Sequence, residues 1–141
     1  MNKKTKLFIT FEGGEATGKT TQIKKLNKLF IKKKIPHIIT REPGGTSISE
    51  NLRKIILSKK NDIDVSIEVL LLMASRKDHI NKVIIPALKQ GKIVICDRYV
   101  DSTAIYQGYY KKFGMKKVYD LHKIFLNNLM PDITFFFNMN V

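Results

Sequence analysis

The chain has one cysteine, no tryptophan, four prolines and eight glycines among 141 residues. A lone cysteine, Cys96, rules out an internal disulfide framework, and a cytoplasmic setting is the simplest expectation. No apolar run approaches the roughly 20 residues that a membrane-spanning helix needs. The basic start, Met1 to Lys6, leads into the short apolar run Leu7 to Phe11 and then glycines, which is not the pattern of a cleaved secretory signal. With 43% hydrophobic and 27% charged residues, the chain is neither disordered nor fibrous. Its length suits a single domain spanning 1–141.

Acidic residues are also scarce. Twelve Asp and Glu stand against 26 Lys and Arg, for a formal net charge of +14. Such an excess can serve nucleic acid or an anionic membrane surface. Here the basic residues are 22 lysines spread along the chain and only four arginines. Lysine, isoleucine and asparagine are all abundant, a compositional drift rather than a binding stripe. In a chain so poor in arginine, Arg41, Arg53, Arg76 and Arg98 mark positions where the planar guanidinium fork is needed and lysine will not serve.

The elements alternate. Lys6 to Phe11 reads as a buried strand, and Lys19 to about Lys33 as a helix with Ile23, Leu26 and Phe30 on one face. Pro36 closes that helix, and His37 to Thr40 is a second strand. Thr46 or Ser47 caps a helix running to about Leu57. Ile67 to Arg76 and Ile80 to Lys89 read as two helices, the second ended by Gly91. Lys92 to Cys96 is a strand of the continuously apolar kind found inside parallel sheets. Asp101 to Gly108 reads as a polar stretch. A helix over about Lys116 to Asn128 and a strand over Asp132 to Asn138 follow. Strands separated by helices predict an α/β fold, a parallel sheet wound with helices on both faces.

One motif carries chemistry outright. Gly13-Gly14-Glu15-Ala16-Thr17-Gly18-Lys19-Thr20 fits G-x-x-x-x-G-K-[ST], after a strand and opening a helix. Glycines let backbone N–H groups curl around phosphates, Lys19 reaches the β- and γ-phosphates, and the Thr20 hydroxyl can ligate Mg²⁺. Asp97, ending the third strand at the carboxyl edge of the sheet, is the natural second partner of the metal. His37, His79 and His122 show no ligand spacing and read as structural. Cys96 reads as inert packing, and Glu12 as the close of the first strand.

Three further segments narrow the reaction: Thr40-Arg41-Glu42-Pro43-Gly44-Gly45-Thr46, Ala74-Ser75-Arg76, and Asp97-Arg98-Tyr99-Val100-Asp101-Ser102-Thr103-Ala104-Ile105-Tyr106-Gln107. With Phe11-Glu12-Gly13-Gly14-Glu15, they resemble the thymidylate kinase family over about Leu7 to Phe137. The resemblance implies a P-loop NTPase fold, with ATP and dTMP as substrates and Mg²⁺ as cofactor. It implies that loop residues 13–20, Lys19 among them, bind the ATP phosphates, with Thr20 and Asp97 near the metal. It implies that Glu15 holds the sugar 3′-hydroxyl of dTMP and that Arg98 grips its phosphate, with Arg41 and Arg53 near the same phosphate. Arg76 is directed at a thymine carbonyl, Thr103 and Gln107 read the base edge, and Tyr106 crowds the 2′ position. Lys19, Asp97 and Arg98 are then the catalytic set, and Glu42 is a loop charge that orients Arg41. Family members form homodimers through helices, and the apolar run Val69 to Met73 suits either a buried helix or such a seam.

The sequence departs from the family in three ways. Leu72 stands where a phenylalanine stacks on thymine. Phe137-Asn138 stands where a leucine and an aspartate end the strand. Members continue beyond that strand with a lid, a helix, and a last strand and helix, so this chain is expected to lack the lid and the last strand. Ala16 also stands where some members carry a loop arginine. A fragment, a shortened gene product and a minimal form all fit this. So do three rival roles: another nucleoside monophosphate kinase, a nucleotide-binding remnant without catalysis, and a nucleic-acid binder.

Overall fold

A computed structural model describes residues 6–138. Four strands, β1 (Phe8–Gly13), β2 (His37–Arg41), β3 (Ile93–Asp97) and β4 (Ile133–Phe137), form a sheet in the order β2-β3-β1-β4. Every pairing is parallel: Ile9 lies opposite Ile95 and Ile133, and Ile39 opposite Ile95. Side chains alternate across a strand, so the apolar runs feed two cores. Phe8, Val94 and Cys96 face one side, Ile9, Phe11, Ile93 and Ile95 the other.

Helix α1 (Lys19–Lys32) covers the second side with Ile23, backed by Leu26 and Phe30, as its spacing predicts. The first side is covered by α3 (Val65–His79), α4 (Ile85–Lys89) and α6 (Met115–Leu126), through Val69, Met73, Ala87, Val118 and Leu126. Asp132 ties the start of β4 to β1. Its Oδ2 accepts from Phe8 N at 2.7 Å while its own N donates to Phe8 O at 2.8 Å. Among the described residues β4 is an outer strand, and Phe136 stands 72% exposed on it. No helix of the described residues is long and apolar enough to cross a membrane.

Two sequence expectations are corrected. The two helices read over Ile67 to Arg76 and Ile80 to Lys89 are one continuous run. The π-helical segment Ile80–Ile84 joins α3 to α4 without a break, with Ile85 N bonding Ile80 O. Pro86 has no N–H and would clash with the carbonyl four residues back in a regular helix. A wider turn just before it removes that conflict. The polar stretch Asp101 to Gly108 is also helical: α5 (Val100–Thr103) continues into a π-helical segment, Ala104–Tyr110. Asp101 accepts from the Tyr119 hydroxyl at 2.8 Å, and Ser102, Thr103 and Gln107 bond partners described below, which is why the segment carries little apolar periodicity.

Helix α2 (Ser47–Leu57) starts at Thr46, whose hydroxyl accepts from Ser49 N at 3.0 Å and lies 2.6 Å from Asp78 Oδ2. Thr46→Ala removes both contacts. We expect it to cost about 1 kcal/mol, read as a lower urea midpoint with an unchanged slope.

Candidate active site

The phosphate loop hangs between β1 and α1. Gly13 has φ +133°, and a Cβ there would sit 2.4 Å from the Phe137 carbonyl oxygen, so only glycine lets β1 end against β4. Gly18, at φ +90°, opens α1 with no side-chain cap, leaving the first N–H groups of the helix directed at the loop. Ala16 sits at the loop tip with φ 57°, and Thr17 Oγ1 donates to Gly14 O at 3.0 Å. Lys19 is only 6% exposed. Its Nζ donates to the carbonyls of Gly13 and Gly14 at 2.9 and 2.5 Å. Burial, with the Arg98 charge, lowers the Lys19 pKa, against the pull of Asp97, Glu12 and Glu15. Thr20 is exposed at the start of the same helix.

Asp97 ends β3 directly beside Phe11 of β1. Its Oδ1 is buried and has no hydrogen-bond partner. A buried carboxylate oxygen without a donor is costly unless something else satisfies it. Together with the Thr20 hydroxyl it supplies hard oxygen donors of the kind Mg²⁺ takes, few in number and completed by water and phosphate. Among the described residues no cluster of three His, Cys, Asp or Glu is placed to hold a metal by itself.

Beyond the loop lies a cavity of about 430 Å³, a size that suits a small ligand. Glu15, Arg53, Leu72, Arg76, Arg98, Thr103, Tyr106 and Gln107 all line it, brought together from the phosphate loop, α2, α3 and the helix after β3. Sequence reasoning also expected Arg41 here, and the structure holds it apart. Arg41 is half exposed and pairs with Glu50 at 2.8 Å, off the cavity wall. Arg53 Nη1 donates to Pro43 O at 2.9 Å. Leu72, 7% exposed, supplies apolar wall where the family has a ring.

Arg98 stands in the left-handed region at φ 68°, a position costly for a side chain this large. Its surroundings hold it there. Arg98 N donates to Phe11 O at 2.9 Å, and the buried Glu12 accepts from Tyr99 N at 2.7 Å and Ser102 Oγ at 2.5 Å. Arg98 Nη1 reaches Ser102 Oγ at 3.2 Å, and its guanidinium carbon lies over the Tyr106 ring, 5.3 Å from the ring centre. Glu12 therefore does more than close a strand: it pins the turn that aims Arg98. Burial raises its pKa, in spite of the bonds from Ser102 and Tyr99 N.

Glu42 does not orient Arg41. Successive residues leaving β2 point to opposite sides, so Arg41 turns to solvent and Glu42 inward. Glu42 is 4% exposed, accepts from Arg76 Nε at 2.5 Å and lies 2.9 Å from His79 Nδ1. His79 Nε2 lies 2.6 Å from Thr40 Oγ1. Arg76 Nη2 donates to Thr103 Oγ1 at 2.8 Å, while its Nη1 has no closer partner than Met73 Sδ at 3.9 Å. Arg76 is thus held at the cavity by the buried carboxylate of Glu42, which lines the same cavity. His37, His79 and His122 all make hydrogen-bonded packing contacts. Burial raises the pKa of the Cys96 thiol well above normal, and its Sγ lies 3.1 Å from Arg98 O.

Sequence reasoning missed Glu68. It lies on α3 four residues before Leu72 and eight before Arg76, on the same buried stripe. Its carboxylate accepts from Gln107 Nε2 at 3.1 Å and Lys111 Nζ at 2.5 Å. That i, i+4, i+8 spacing was the available signal. Lys111 and Tyr110, which also line the cavity, had none.

A parallel α/β sheet with a phosphate loop after β1, a carboxylate ending β3 and an arginine-lined cavity beside the loop defines a P-loop NTPase fold. The chain belongs to the thymidylate kinase family, whose model matches residues 11–141. It is 50% identical over 132 residues to the thymidylate kinase of Rickettsia bellii, covering 94% of this chain and 63% of that protein. It is 44% identical over 133 residues to that of Clostridium novyi, covering 94% and 65%. The crystal structure of thymidylate kinase from Ehrlichia chaffeensis superposes with a TM-score of 0.83 at 38% identity, over 96% of this chain and 78% of that one. The chain therefore spans just under two thirds of the length of these curated relatives.

Proposed function

We propose that the chain acts in thymidylate phosphorylation, passing the γ-phosphoryl of ATP to dTMP to give dTDP and ADP. One observation carries this reading: Arg53, Arg76 and Arg98, three of four arginines in the chain, line one cavity beside the phosphate loop, with neutral Thr103 and Gln107 on its wall. Arginine forks suit a phosphomonoester, and neutral polar groups suit a base edge.

In this reading the loop amides and Lys19 hold the β- and γ-phosphates of ATP. Arg98 and Arg53 bind the dTMP phosphate, whose oxygen attacks the γ-phosphorus as the bond to the β–γ bridging oxygen breaks and ADP leaves. Mg²⁺, held through Thr20 and Asp97, would offset charge on the donor phosphates. Glu15 accepts from the sugar 3′-hydroxyl, Tyr106 fills the space of a 2′-hydroxyl, and Leu72 covers a base face. Two polyanions must meet, so neutralising and aligning them is most of the catalysis.

The proposal includes a cytoplasmic setting, resting on the single cysteine, and a homodimer. The outer face of α3 leaves Ile67 and Leu70 50% and 56% exposed, beside Ile48 and Ile55 of α2 at 51% and 44%. These four side chains support a seam between copies.

ADP release with Mg-ATP, measured with dTMP, dUMP, UMP or thymidine, tests the activity. Release that depends on dTMP above the others supports the reading. Faster release with UMP would point to another monophosphate kinase. Binding of dTMP without release would make the chain a nucleotide binder that does not transfer. Arg98→Ala should weaken dTMP about 10- to 150-fold, the loss of a charge-assisted hydrogen-bonding group, with ATP affinity nearly intact. Equal loss of both ligands in a titration would refute this division of roles.

A further inference from the structure

We propose that Glu68 is a positioning residue that sets base selectivity by fixing the side-chain amide of Gln107. The inference rests on the reading of the cavity as a nucleoside monophosphate site and adds how that site tells bases apart.

Glu68 is 8% exposed and stands behind the cavity, not on its wall. An ionised carboxylate only accepts hydrogen bonds. The end of Gln107 that lies 3.1 Å from Glu68 Oε1 must then be the –NH₂ end. Lys111 Nζ, 2.5 Å from Oε2, engages the other oxygen and holds the carboxylate in place. With its –NH₂ so committed, Gln107 turns its carbonyl oxygen to the cavity as an acceptor. Spacing of four residues along the helical run from Val100 to Tyr110 and its cap Lys111 keeps Thr103, Gln107 and Lys111 near one face. Thr103, Gln107 and Lys111 accordingly share the cavity wall.

The neighbouring groups are biased the other way. Thr103 Oγ1 accepts from Arg76 Nη2, so its proton is free to be donated, and Arg76 Nη1 is a second donor. Gln107, Thr103 and Arg76 thus offer one acceptor and two donors. That set complements a pyrimidine imide, which has one N3–H and two carbonyls. Cytosine has a lone pair at N3, which would meet the Gln107 oxygen as acceptor against acceptor. If the amide were free to flip, Gln107 would serve either base and the distinction would fade. Glu68 makes the flip unfavourable without touching the ligand.

The test is the ratio of dTMP to dCMP affinity, titrated calorimetrically on the chain. Glu68→Gln keeps shape but gives Gln107 a partner that both donates and accepts. The ratio should fall about tenfold, one hydrogen bond's worth of discrimination. Gln107→Leu removes the amide and should lower the ratio similarly. In the double variant Glu68→Gln should cause no further fall, because it acts only through Gln107. A residue that merely supports the fold would weaken both nucleotides alike and leave the ratio unchanged. An unchanged ratio in Glu68→Gln with dTMP still bound overturns this inference and leaves the proposed function standing. So does a further fall in the double variant. If Glu68→Gln does not fold, an unchanged ratio in Gln107→Leu overturns the inference by itself. Wild-type chain that binds neither nucleotide overturns the proposed function, and this inference with it.

Discussion

Lys19→Ala is expected to slow phosphoryl transfer by about three orders of magnitude while dTMP affinity changes by less than about threefold. Lys19 is 6% exposed at the mouth of α1, with its Nζ already held over the loop by two carbonyls. Its charge is therefore fixed in place before any nucleotide arrives. Fixed charge in a partly dry site acts more strongly than the same charge in water. Removing it takes away the fixed cation nearest the transferring group and leaves the loop amides and Mg²⁺ to oppose its negative charge. The acceptor cavity does not include Lys19 on its wall, so dTMP should bind almost as before. The turnover number from ADP release, set beside a dTMP titration, reads the two effects separately. Transfer within tenfold of wild type would remove Lys19 from the mechanism.

Glu42→Ala has the largest expected effect on stability. Glu42 is 4% exposed and faces Arg76 and His79, which are 2% and 0% exposed. Deleting the carboxylate leaves a buried guanidinium without its counter-charge, a loss of about 3–5 kcal/mol. Urea unfolding of the variant at neutral pH measures it. The same group gives a pH signature. Burial pushes the Glu42 carboxyl up, but the Arg76 guanidinium and His79 outweigh that and hold it below its ordinary value of 4.5. A carboxyl whose folded pKa is depressed adds stability above its unfolded pKa and loses it as pH falls through the folded value. The gap between wild type and Glu42→Ala should thus be full near neutrality and shrink below about pH 4.5. A gap constant down to acid pH would mean that Glu42 acts through packing alone.

Glu12 and Glu42 share a design. Each is a buried carboxylate that supports an arginine, Glu42 from the cavity wall and Glu12 from outside it. Glu42 holds Arg76 directly, and Glu12 holds the turn in which Arg98 sits at φ 68°. Rigid support of this kind keeps long, entropy-rich side chains in the geometry a ligand needs. It also explains how the site is shaped by residues that composition would pass over as ordinary acids.

The phosphate loop, the four strands and the face of α1 were legible in the chain, and the cap of α2 was narrowed to Thr46 or Ser47. Each of these follows from residues close together in the chain: glycine spacing, continuous apolar runs, a 3.6-residue period, a hydroxyl before a helix. Only the tertiary structure decided the rest. Glu42 meets Arg76 across 34 positions, Gln107 meets Glu68 across 39, and Ser102 meets Glu12 across 90. Arg41 lies beside Glu42 in sequence yet pairs with Glu50 in solvent. The helix from Val100 to Tyr110 was hidden for the same reason, since its polar residues are satisfied by distant partners and leave no local pattern. Local spacing records what the backbone must do at each point. Which acid faces which arginine depends on how β2, α3 and the end of β3 pack together, and no short stretch of chain contains that.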